Sequence, residues 1–295
     1  MSRNNRSRLE NTKNNKPETS EESDLVLEEQ LAGLEKLSFS APTEIIDLPS
    51  EGKHYPEDHP LHNVSQIEIR FMTAKDEDIL ASRSLLKNGL ALDRLLSNII
   101  VDKRIKPEQL LVGDRNALIV ASRITGYGTE YKTEAKCPSC ENISEFTYDL
   151  GAATLKTIDE DELEQEGIRI TGNNRFEITL PVLKLPVSIR ILDGIDELEI
   201  AKKSRAKEKS KKEVNNDSVD LLRRMIVSVA GTESSDIVDK LANGMTARDA
   251  KYIRDAYAKI SCDIDISQHF ECSECEYERE DMGVPLTAAF FWPDR

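Results

Sequence analysis

Apolar residues recur along this chain in two rhythms, and the switches between them outline its elements. Over residues 65–71 the alternation is strict. Ile67, Ile69 and Phe71 fall on one side and Gln66, Glu68 and Arg70 on the other, which predicts a half-buried strand. The period then lengthens. Thr73 is placed to cap a helix with Asp76 and Glu77 in its first turn, where a helix favours anions, and with Leu80, Leu85 and Leu86 as its apolar face. Asn88-Gly89 stops it. A second helix over residues 90–100 turns Leu92, Leu95, Leu96, Ile99 and Ile100 inward. After the turn at Lys106-Pro107-Glu108-Gln109, a third runs over 110–125. Leu118, Ile119 and Ile124 face its core side, Asp114 and Arg115 face water near its start, and Gly126-Tyr127-Gly128 ends it.

The second half repeats the two rhythms. Phe176, Ile178 and Leu180 alternate as a strand until Pro181, and strands are expected over 182–185 and 187–192, with Pro186 arguing for an edge or a bulge. Asp193-Gly194 opens a helix over 195–212 that becomes basic through Lys202, Lys203, Arg205, Lys207, Lys209, Lys211 and Lys212. Cations at a solvated helix C-terminus are the simplest reading of that run. Residues 219–229 read as a buried helix, 237–241 as one capped by Ser234-Ser235-Asp236, and 247–260 as one capped by Thr246. Six of the eight residues over 159–166 are Asp or Glu, a pattern expected of a solvated, self-repelling connector. Residues 1–23 are polar and expected to be disordered. Leu25, Leu27, Leu31, Leu34 and Leu37 predict a short amphipathic helix, docked on a partner or on its own domain. The apolar end with Phe290, Phe291 and Trp292 leaves the same two options.

Two knuckles interrupt these rhythms, Cys137-Pro138-Ser139-Cys140 and Cys272-Ser273-Glu274-Cys275. Strands are expected before them, over 131–136 and 264–270, and after them, over 145–148 and 278–284. Each half therefore reads strand, knuckle, strand, the build of a zinc ribbon. If the two pairs share one ion, Cys137, Cys140, Cys272 and Cys275 supply a closed tetrahedral thiolate site. Such a site, with one structural Zn2+ per chain, leaves no position for substrate. Four ordinary thiols, or two separate redox pairs, are the alternatives. A redox pair requires a helix N-terminus to depress a thiolate, and neither knuckle opens a helix in the pattern. Cys262 has no partner in sequence and reads as a small buried hydrophobe.

Composition narrows the function classes. The 295 residues carry a net charge of −15 at a pI near 4.9, opposite in sign to the field that binds phosphate backbones. No apolar run approaches the ~20 residues of a membrane span. No signal-peptide core opens the chain, so a reducing cytoplasm is expected. Gly-x-x-x-x-Gly-Lys-Ser/Thr, Gly-x-Ser-x-Gly and His-Glu-x-x-His are all missing from the sequence. His54, His59 and His62 crowd one loop with Pro56 and Pro60 between them, and read as solvated histidines rather than metal ligands.

Several stretches fit one pattern in order. They are Leu48-Pro49-Ser50-Glu51-Gly52-Lys53-His54-Tyr55-Pro56, then Ile69-Arg70-Phe71-Met72-Thr73-Ala74-Lys75-Asp76-Glu77-Asp78-Ile79-Leu80, the helix from Asp93 to Ile100, and the first knuckle. In these the chain resembles the baseplate hub subunits, or hub assembly proteins, of T-even-like contractile-tailed phages. The resemblance runs from about Ile45 to Cys275. It implies a structural or assembly role without catalytic residues, in the host cytoplasm during assembly and in the virion tail baseplate. The partners it implies are other baseplate hub and tail proteins, with self-association a further option and neither membrane nor nucleic acid expected. A zinc-ribbon nucleic-acid-binding or transcription-associated protein is the competing reading.

The expected fold is α+β, two helical blocks with short β-strands and a split, four-cysteine zinc-ribbon-like element. The expected divisions are a tail over 1–23, a helix over 24–40 and a strand-plus-helix domain over 41–130. The first half-ribbon follows over 131–150, an acidic connector and β segment over 151–193, and a helical block over 194–261. The second half-ribbon with the apolar end occupies 262–295.

Overall fold

In a computed structural model, which describes residues 41–210, 217–284 and 286–292, the chain opens with an antiparallel pair. The expected tail over 1–23, the helix over 24–37 and the side chains of the basic run beyond Lys203 lie outside the described residues. β1 (Thr43–Asp47) lies against β2 (Gln66–Arg70), and Ile67 and Ile69 are buried as their alternation predicts. The first predicted helix is two: α1 (Ala74–Ala81) and α2 (Arg83–Asn88), separated by Ser82 in an extended conformation. Leu80 is buried, whereas Leu86 lies 40% exposed. Leu85 and Leu86 follow Leu80 by five and six residues, a spacing that does not share one helical face. α3 (Ala91–Ile99) buries Leu95, Leu96 and Ile99.

α4 (Val112–Tyr127) follows, with Leu118, Ile119 and Val120 in the core. Asp114 and Arg115, expected in water, are buried. β3 (Glu130–Lys136) and β4 (Ile143–Asp149) form a hairpin, and β5 (Thr154–Lys156) comes after it. The acidic connector contains a helix, α5 (Glu160–Gln165). The Asp159 carboxylate accepts the Glu162 N–H at 3.1 Å, Leu163 is buried, and Lys259 pairs with Glu162 and Glu166.

β6 (Arg169–Gly172), β7 (Arg175–Thr179) and β8 (Pro186–Ile189) begin a four-stranded antiparallel sheet. Its fourth strand arrives after α6 (Gly194–Ser210) and α7 (Asp217–Met225), as β9 (Ile226–Val229). Three expectations change here. Residues 181–183 turn, with Lys184 at φ 56°, instead of forming a strand. β8 is an interior strand rather than an edge, with Pro186 as its first residue, while the alternative of a bulge holds, since β8 shifts register against β9 between Ser188 and Ile189. The buried run expected to be wholly helical switches to strand at Ile226, where Ile226-Val227-Ser228-Val229 is rich in β-branched side chains.

α8 (Ser235–Gly244) and α9 (Ala247–Ile260) lead to β10 (Asp263–Asp265), which pairs with β5, and then to the hairpin of β11 (Gln268–Glu271) and β12 (Glu278–Met282). Thr246 caps α9 as predicted, its hydroxyl accepting the Asp249 N–H at 3.1 Å. The apolar end turns back on the protein: Phe290 and Phe291 are buried, with the Phe290 ring 4.9 Å from that of Tyr131. One apolar cluster runs from Leu48 through Leu118 and Phe176 to Phe291, and Pro42–Arg295 forms one unit. Where α4 passes the segment after α9, a Cβ on Gly113 would lie 2.0 Å from the Cys262 carbonyl oxygen, so only glycine fits. The chain is α+β, with its four clustered cysteines outside the main core.

Candidate metal centre

Each ribbon hairpin ends in a turn built the same way. The Cys137 N–H donates to the Asn142 carbonyl at 2.8 Å, and the Cys272 N–H to the Tyr277 carbonyl at 2.9 Å. The residue after the second cysteine takes a left-handed conformation in both, Glu141 at φ 61° and Glu276 at φ 54°. These turns point both sulfurs of a knuckle to one side. The strands behind them supply a small floor of Ala135 and Phe270, with Phe146 edge-on to Phe270 at 5.5 Å.

The two knuckles meet. All four sulfurs lie within 4.8 Å of one another, with Cys137 Sγ 3.7 Å from Cys275 Sγ and Cys140 Sγ 3.7 Å from Cys272 Sγ. A tetrahedron with metal–sulfur bonds of ~2.3 Å has edges of roughly 3.8 Å, so the spacing fits one ion. A disulfide needs about 2.05 Å, and all four are free thiols. Cys137 and Cys272 are buried, while Cys140 and Cys275 form the outer rim.

The thiols perturb one another. Burial acts to raise Cys137, but the Cys140 and Ser139 N–H groups aimed at its sulfur hold it down at about 7. The Asn142 N–H acts to lower Cys140, but crowding by Cys275, burial and the other two sulfurs push it up to about 12. As thiolates the four sulfurs would repel one another, and a cation among them would relieve that repulsion. If all four held one ion, no coordination position would stay open. Among the described residues this is the one group of three or more candidate ligands drawn together. Cys262 sits apart in the main core, its thiol pushed up by burial.

The loop histidines are not solvated in the way the sequence suggested. His54 is buried with its ring 5.4 Å from Phe176, His59 stacks on Tyr55 at 4.4 Å, and His62 Nδ1 donates to the Tyr55 carbonyl at 2.8 Å. Burial lowers the pKa of both His54 and His59. They pack the loop that holds Pro49, Ser50 and Gly52.

That loop is fixed by a residue whose position in the sequence suggested water. Asp114 Oδ1 accepts the Ser50 N–H at 2.9 Å, and its Oδ2 accepts the Ser50 hydroxyl at 2.5 Å and the Tyr55 hydroxyl at 2.7 Å. Tyr55 Oη in turn accepts the Leu111 N–H at 3.0 Å. Gly52, at φ 73°, lets the loop pass Val64 so closely that a Cβ would stand 2.4 Å from its nitrogen. Arg115 is buried between Asp93 at 2.6 Å and Glu197 at 2.5 Å. Asp76 receives both terminal nitrogens of Arg70, at 2.7 and 2.9 Å, and the Thr73 N–H at 2.8 Å. Burial acts to raise its carboxyl, but these donors hold it down at about 2. Arg70, Thr73 and Asp76 of one family-like stretch are thus bonded to one another, while Ser50, Tyr55 and Asp93 of the others bond to Asp114 and Arg115 of α4.

A protein-family model described as T4 bacteriophage base plate protein matches residues 41–292. No curated protein and no solved structure matches the chain significantly.

Proposed function

The chain belongs to the T4 bacteriophage base plate protein family, and on that premise we propose that it is a component or assembly factor of the baseplate hub, stapled by one structural zinc ion per chain. Family membership gives it a structural role in a phage baseplate, in the virion tail and among other baseplate or tail proteins. Among the described residues, no helix is long and apolar enough to cross a membrane.

The observation that carries the zinc reading is the meeting of four sulfurs from two knuckles, both inside the matched span. Cys137, Cys140, Cys272 and Cys275 would hold the ion. An all-thiolate tetrahedral donor set selects zinc or an iron–sulfur centre over hard cations. The ion would neutralise the thiolates and tie β3–β4 to β11–β12, and no reaction step passes through it. The buried carboxylates Asp76 and Asp114 are occupied by internal donors, which supports a role through protein–protein contacts rather than turnover.

The test is affinity capture of the chain from infected cells, with mass spectrometry of its partners and zinc analysis of the same sample. Hub and tail proteins with about one zinc per chain are expected. Recovery of polymerase or nucleic acid in their place would overturn the hub assignment, and a metal-free chain would overturn the zinc assignment.

A further inference from the structure

A cavity of about 800 Å³ opens where the loop of residues 54–60, the turn before α4, the β6–β7 turn and the start of α6 come together. In a chain of net charge −15, three arginines reach it from separate segments, Arg104, Arg175 and Arg190. Each holds a carboxylate that stands outside the lining: Asp102 for Arg104 at 2.7 Å, Asp196 for Arg190 at 2.6 Å, and Glu233 for Arg175. A guanidinium has more N–H donors than one carboxylate engages, so each arginine keeps donors for a ligand. The side chains of Gln109 and Asn173, exposed on the same lining, make no hydrogen bond among the described residues. Pro56, Pro60, Leu111 and Val227 supply apolar wall, and Ile195 stands on it 41% exposed.

His54 supplies a second, independent observation. It is 6% exposed and lines the cavity, yet among the described residues its ring makes no hydrogen bond and touches only the ring of Phe176. Buried polar groups are ordinarily bonded. The His54 nitrogens are not sealed in the core, as His59 Nε2 is, so they remain open to a ligand on the cavity side. Asp58 and Asp193 also line the cavity, with Asp193 3.7 Å from Arg190, so the site suits one negative charge better than a dense cluster of them. We propose that this cavity holds a carboxylate side chain presented by another protein, an Asp or Glu with apolar neighbours. Arg104, Arg175, Arg190 and His54 would donate to the carboxylate, and the neighbours would rest on Ile195 and the prolines. This deepens the baseplate reading, on which it rests for its setting, by naming the chemistry of one partner contact. Phosphate, which carries more charge than a carboxylate, is disfavoured by the two lining aspartates.

The test titrates the full chain, with isotope-labelled histidine rings, against the capped peptide Ala-Leu-Glu-Leu-Ala and its glutamine and phosphoserine counterparts, read by NMR. The glutamate peptide is expected to move the His54 signal saturably while that of His269 on β11 stays in place, and to bind about tenfold tighter than the glutamine peptide. Arg104→Gln and Arg175→Gln change side chains that are partly or largely exposed, and each is expected to lose about fivefold in affinity. Arg169→Gln removes an exposed arginine that pairs with Glu177 outside the cavity, and is expected to lose less than about twofold. A stationary His54 signal, equal binding of the glutamate and glutamine peptides, or equal losses in all three variants overturns the proposal. Tighter binding of the phosphoserine peptide overturns the choice of carboxylate and makes phosphate the occupant. A His54 signal that shifts with protein concentration alone overturns the assignment to another protein and makes a second copy the source. Capture from infected cells separates this idea from the baseplate reading. If no baseplate protein is recovered while the peptide result stands, the baseplate role alone fails. If baseplate proteins are recovered by wild type and Arg175→Gln alike and the peptides do not discriminate, the cavity proposal alone fails.

Discussion

The loop bonded to Asp114 and the ribbon at the four cysteines both join distant parts of the chain, and they rest on different foundations. Asp114 reaches Ser50 across 64 positions beneath a core that includes Leu48, Tyr55, Leu111 and Leu118. Cys140 reaches Cys272 across 132 positions above a floor that buries little beyond Ala135 and Phe270. Where apolar burial is plentiful, the polar group only has to fix one arrangement among several compact ones. Where burial is scarcer, metal ligands would add to what the bases of the hairpins supply. Tyr131 and Tyr148 are buried in the main cluster, and the Gln268 amide bonds both the N–H and the carbonyl of Asp149 across the two hairpins.

Three measurements would sharpen that contrast. Removing one ribbon ligand has the largest expected effect. Cys272→Ser should abolish metal binding, with a loss on the order of the ~10 kcal/mol typical of structural zinc sites. Amide exchange should accelerate in both hairpins together, while helix α4 stays protected. Unchanged metal content by native mass spectrometry would show that the two pairs do not share an ion. Next comes Asp114→Ala, which strands the Ser50 N–H, the Ser50 hydroxyl and the Tyr55 hydroxyl in the core. It should cost about 3 kcal/mol or more in denaturant unfolding while leaving zinc content intact. A loss of zinc in this variant would mean that the two regions are coupled.

The smallest effect concerns acid. Asp76 titrates near 2 in the folded chain and near ~3.9 unfolded, so its contribution is complete above about pH 4 and is lost as pH falls through about 2. Asp76→Asn should flatten the stability profile across that window in acid-unfolding experiments and leave the ribbon unaffected. A profile identical to wild type would rule out the Arg70–Asp76 contact as a source of acid sensitivity.

The ribbon was the more legible region in sequence. Its signal is local: two sulfurs three positions apart, flanked by alternating strands, announce a knuckle without knowledge of the fold. Thr246 and its helix were legible for the same reason. Asp114 was not, because its partners Ser50 and Tyr55 lie 64 and 59 positions away and an acid in the first turn of a helix is ordinarily solvated. The same blindness to distance hid the roles of His54 and His59, which pack against Phe176 and Tyr55. The error over residues 219–229 has another cause. An apolar run long enough to be helical changes period at Ile226, where pairing with β8 decides the conformation.

The distance between the knuckles also sets a clock. A ribosome adding ~5–20 residues per second needs on the order of ten seconds to pass from Cys140 to Cys272. Through that interval the first knuckle stands as an unfinished claw, with two sulfurs and no mates. Any chain cut short between the knuckles keeps it that way. If the four sulfurs share one ion, the site can close only once the chain has passed Cys272, so metal content would separate chains that contain both knuckles from those cut short between them.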